Sequence, residues 1–144
     1  MKDPYNPTSD ELEEWARTPG AMYPEQDWDL ILASDENAGV FLRLAADPTC
    51  VNRDAVLNFL YVYAGQVVRE RRSAERMATL KATIEQARTL GGEVELWAAR
   101  ATDAVMGNGP DPRPGAPRED YEFWFAGGWR KAAAITARPS TGRR

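Results

Sequence analysis

The stretch from Asp54 to Arg72, DAVLNFLYVYAGQVVRERR, constrains the fold of this chain more than any other segment. Val56, Leu60, Tyr63 and Val67 fall at spacings of four, three and four. Leu57, Tyr61, Ala64 and Val68 form a second stripe beside the first. A helix carrying two adjacent apolar stripes has little polar circumference left, so other elements must surround it. Leu57 to Val62 is rich in β-formers, and a strand is the competing reading there. The length of the segment and its two clean stripes decide for the helix. Asn52 is the expected N-cap, and Arg69, Arg71 and Arg72 suit the negative C-terminal end.

The flanking sequence supplies helices to pack around it. Thr8 and Glu11 fit a capping box, followed by an apolar stripe of Leu12, Trp15 and Ala16 and a stop at Pro19-Gly20. A second helix is predicted to start at Pro24 and to carry Trp28, Ile31 and Leu32 on one face. Ser34 is the expected cap of a third, with Val40, Phe41 and Leu44 inward and Asp47-Pro48 as its stop. Ser73 should cap a helix running to Leu90 through Met77, Leu80, Ile84 and Ala87. Gly91-Gly92 separates it from a helix over 93–106, which makes a helical hairpin.

The sequence GNGPDPRPGAPR at 107–118 reads as a surface loop. After it come Tyr121, Phe123, Trp124, Phe125 and Trp129, a run that fits helix or strand before Gly127-Gly128 and helix from Trp129 to Ala137. The expected fold is all-α. Residues 1–137 form a single domain, a helical bundle or short helical stack around a central hydrophobic helix, with the aromatic element packed back. Residues 138–144 are expected to be a flexible basic tail.

Chemistry is narrowed by what the 144 residues lack. There is no histidine and one cysteine, Cys50. Without imidazole there is no Ser-His-Asp triad, no Cys-His pair and no histidine metal ligand. A lone cysteine makes no internal disulfide, and Cys50 reads as a small buried hydrophobe. The first seven residues have no apolar run, so a secretory leader is not expected, and no stretch reaches transmembrane length. A cytoplasmic location follows as the expectation. Fifteen arginines against three lysines suggest a GC-rich bacterial genome. A net charge of −4 argues against nucleic acid as partner.

Four acidic residues, Asp27, Asp29, Asp35 and Glu36, cluster at two helix starts. Their functional reading is a docking face for a basic protein, since Asp35 to Ala46 lacks calcium-loop spacing. Glu11 and Glu14 have the spacing of a metal-binding pair on the first helix, but no matching second pair appears, and Glu93 and Glu95 point to different faces. Neither a metal nor another cofactor is expected. The preferred function is therefore non-catalytic: binding another protein, as an immunity- or antitoxin-like inhibitor or a regulatory adaptor, with self-association allowed. The alternative is a small-molecule sensor whose groove is lined by Tyr61, Tyr63, Trp124 and Trp129. A hydrolase built on Asp, Glu and a metal is the third reading.

Overall fold

The computed structural model describes residues 1–131. Seven helices are arranged along them: α1 (Ser9–Arg17), α2 (Trp28–Leu32), α3 (Asp35–Ala45), α4 (Arg53–Glu70), α5 (Ala74–Ala87), α6 (Gly92–Val105) and α7 (Arg118–Phe125). A further helical turn occupies 128–131, and no strand is found among the described residues. The predicted helix to Ala137 and the predicted tail at 138–144 extend outside the described residues.

The central helix is the axis of the molecule. α4 touches each of the other six helices. Every residue from Phe59 to Gly65 is buried, because the two stripes face different neighbours. Gly65 is what allows α7 to lie so close. A Cβ placed there would stand 3.0 Å from both Trp124 Cβ and Phe125 Cζ. The piece that fitted helix or strand is helix α7, and Phe123, Trp124 and Phe125 are all buried on it.

The local signals act largely as read. Thr8 accepts from the Glu11 N–H at 3.1 Å while the Glu11 carboxylate accepts from the Thr8 N–H at 2.9 Å, the reciprocal pair of a capping box. Ser34 and Ser73 accept from the N–H groups three residues on and start α3 and α5. Other expectations are corrected. α2 begins at Trp28 rather than Pro24, after Asp27 takes a left-handed φ of 58°. α5 ends at Ala87, short of Leu90.

Asn52 stands at the N-cap position of α4 but its side chain does not cap that helix. Its amide donates instead to the Trp15 and Thr18 carbonyls, closing the C-terminal end of α1. The Arg71 backbone N–H closes α4 on the Val67 carbonyl at 3.1 Å, but its side chain likewise serves another helix. Arg71 sits past the end of α4 with φ of 43° and donates to the Ala104 and Val105 carbonyls of α6. Arg76 pairs with Asp35 and Glu70, and Arg69 lies over the Phe125 ring.

Candidate functional site

The loop between α1 and α2 is where the surface departs from ordinary packing. Two indoles flank it. Trp15 Nε1 donates to the Met22 carbonyl at 2.9 Å, and Trp28 Nε1 donates to the Pro4 carbonyl at 2.7 Å. Between them the Tyr23 ring packs against Trp15, Trp28 and Phe59, with centroids 5.7 to 5.9 Å apart. Tyr23 nonetheless stays 40% exposed, and Met22 beside it is 84% exposed. Large apolar side chains held out on a braced loop are the raw material of a contact surface.

Around these two residues lies a groove of about 610 Å³ whose walls include Glu25, Asp27 and Asp29. A second groove of the same size shares Tyr23 and Asp29 and continues to Asn58, Trp129 and Arg130. Asp29 is oriented from inside the protein. Its Oδ2 accepts from Asn58 Nδ2 at 3.1 Å, and Asn58 Oδ1 accepts from Trp129 Nε1 at 3.4 Å. Burial pushes the Tyr23 phenol up, and the Asp29 charge adds to this, so the hydroxyl stays protonated at neutral pH.

Among the described residues the acids of this face, Glu25, Asp27 and Asp29, make no ion pair, although Arg130 and Lys131 line the second groove together with Asp29. On the neighbouring surface of α1, by contrast, Glu13 takes Arg17 at 3.0 Å and Arg43 at 2.9 Å, and Asp47 takes Arg17 at 2.7 Å.

Of the four acids singled out from the sequence, Asp27 and Asp29 therefore come together and the other two do not join them. Asp35 accepts a 2.8 Å hydrogen bond from the buried Tyr63 hydroxyl and pairs with Arg76 at 3.5 Å, tying α3, α4 and α5 together. Glu36 is exposed on the first turn of α3 and lines neither groove.

The aromatic set also divides. Tyr61 stacks on Trp129 at 4.7 Å and 6° and lies 5.9 Å from Trp124. These three rings are at most 3% exposed, so they fill a core layer instead of walling an open groove. Only Trp129 reaches a groove wall. Tyr63 points elsewhere, to Asp35, and burial, then the bond to Asp35, pushes its phenol strongly upward. Tyr121 is the exposed member of the C-terminal aromatics. Met22, Tyr23 and Asn58 escaped the sequence reading, although Met-Tyr-Pro ahead of Glu-Gln-Asp, between two short helices, was the available signal.

Cys50 is buried, with its Sγ 3.4 Å from the Ala16 carbonyl, and burial raises its pKa. Among the described residues no three acidic or thiol side chains stand close enough together to hold a metal ion. No helix among them is long and apolar enough to cross a membrane. No protein-family model matches the chain, and neither a curated protein nor a solved structure matches it.

Proposed function

We propose that the chain is a non-catalytic protein-binding domain that docks a basic protein on the face formed by Met22, Tyr23, Glu25, Asp27 and Asp29. The observation that supports this reading is the coincidence of two exposed apolar side chains with three carboxylates that make no ion pair among the described residues, beside a loop held by the Trp15 indole. Apolar residues at the centre of such a face contribute affinity on desolvation. The surrounding negative charge speeds encounter with a cationic surface and rejects acidic ones. In this reading the chain is a cytoplasmic bacterial inhibitor or adaptor, one helical domain presenting a preformed surface.

The test is native mass spectrometry of the protein recovered from its host, beside an Asp27→Asn, Asp29→Asn double variant. A stoichiometric basic partner is expected with the parent protein and should be lost from the double variant, whose fold is unchanged by circular dichroism. A partner retained equally by both proteins, or salt-independent binding, would remove this face from the function.

A further inference from the structure

A cavity of about 470 Å³ opens where the end of α6 and the loop after it fold around the Arg71 side chain. It is more enclosed than either groove beside Tyr23. Its volume falls within the range of small-molecule sites, about 300–1,000 Å³.

The loop that lines the cavity is held in place. Trp124 Nε1 donates to the Pro110 carbonyl at 3.0 Å, and the Asn108 N–H donates to the Asp103 carbonyl at 2.7 Å. Gly107 and Gly109 have φ of 83° and 76°, backbone that side chains other than glycine adopt at a cost. The Gly109 N–H has no acceptor among the described residues.

The charges in this lining do not balance. Arg71 donates to the Ala104 carbonyl at 3.1 Å and to the Val105 carbonyl at 3.5 Å. The negative end of the α6 dipole favours its charge there, but no carboxylate pairs with it among the described residues. The one acid of the lining, Asp111, is engaged by Arg113 through Nε at 3.0 Å and Nη2 at 2.8 Å, and by the Arg113 N–H at 2.9 Å. Two guanidinium groups, Arg71 and the exposed Arg113, thus border one carboxylate at this cavity. A guanidinium offers five N–H donors in a planar fork, and oxyanions are the ligands that fit it.

We propose that this cavity binds a small organic molecule through a carboxylate or phosphate group. The oxyanion accepts from Arg71, with Gly109 N–H and Arg113 as further donors, and competes with Asp111 for that positive charge. This ligand site is separate from the Tyr23 face. It lies beyond the C-terminal end of α4, while Asn58, which orients Asp29, lies in the N-terminal part of the same helix.

The experiment is a titration of ¹⁵N-labelled protein with sodium acetate and, separately, sodium phosphate, each replacing chloride at constant ionic strength and pH. Saturable shifts are expected for the backbone amides of 107–113 and for the Trp124 indole N–H. Removing one unit charge beside the bound anion should change half-saturation roughly tenfold. Asp111→Asn should therefore tighten binding by that factor and Arg71→Met should weaken it at least as much. Arg71→Met also removes donors from the end of α6. If its spectrum shows an unfolded chain, the gain in Asp111→Asn decides alone. Saturation by acetate only assigns a carboxylate ligand, by phosphate only a phosphate ester, and either supports the site. Absence of saturation with both anions, or a half-saturation unmoved by Asp111→Asn, would overturn it.

Discussion

Gly65→Ala and Gly39→Ala are the same chemical change in two helices, and the structure demands opposite outcomes. In a helix interior alanine is favoured over glycine by about 0.8–1.0 kcal/mol. Gly39 lies on α3, and a methyl group added there would have nothing within 4 Å, so that gain should appear undiminished. At Gly65 the new Cβ would meet Trp124 Cβ and Phe125 Cζ at 3.0 Å and Trp124 Cγ at 3.2 Å. Trp124 cannot swing aside, because it is fully buried and its indole is fixed to Pro110. The methyl must push α7 off α4, and overpacking of this kind costs about 1–3 kcal/mol. Subtracting the propensity gain leaves a net loss of up to about 2 kcal/mol for Gly65→Ala, against a gain near 1 kcal/mol for Gly39→Ala. Urea unfolding followed by far-ultraviolet circular dichroism measures both. Equal stabilisation by the two substitutions would refute the close approach of α7 to α4.

Two further perturbations probe the same architecture. Leu60→Ala, at a fully buried position of α4, should lower unfolding stability by about 2–5 kcal/mol, and an unchanged thermal midpoint would rule out its central place. Hydrogen bonds from the Thr49 hydroxyl, the Arg17 guanidinium and the Thr49 N–H lower the Asp47 pKa to about 2 from an ordinary 3.8. Its folded pKa lies below its unfolded one, so its contribution is present above pH 3.8 and is lost as pH falls toward 2. Urea midpoints of the parent and Asp47→Asn should therefore differ at pH 5 and converge near pH 2, and a constant difference would contradict this.

The parts of this molecule legible in the sequence are those governed by short-range rules. The double stripe of α4 marks a helix because 3.6-residue periodicity is local. The Thr8–Glu11 box and the Ser34 and Ser73 caps are read from neighbours three residues apart, and their hydrogen bonds form. Long-range partners are not legible in that way. Asn52 has the right side chain for capping its own helix, yet it faces the terminal carbonyls of α1, more than thirty residues earlier. Asp35 looks like surface charge beside Glu36 until the Tyr63 hydroxyl arrives from another helix. The grouping of Asp27 with Asp29 was within reach because the two lie so close in the chain. The contribution of Asn58 depends on how α2 crosses α4.

The ends of α4 close the ends of its neighbours. Asn52 and Arg53 at one end satisfy the last carbonyls of α1 and α3, and Arg71 at the other satisfies those of α6. Helix C-termini leave orphan acceptors that are costly when buried, and here one segment with its two flanks answers three of them. The buried faces of the helices are filled by aromatic and aliphatic side chains, and several of the polar ones hold helix to helix. Two segments line cavities with unequal charge: 22–29, whose own residues include carboxylates and no cation, and 107–113, where Arg71 adds a cation to the Asp111–Arg113 pair. Opposite imbalances at opposite ends of one buried helix give the fold a rigid core between two surfaces of different chemistry.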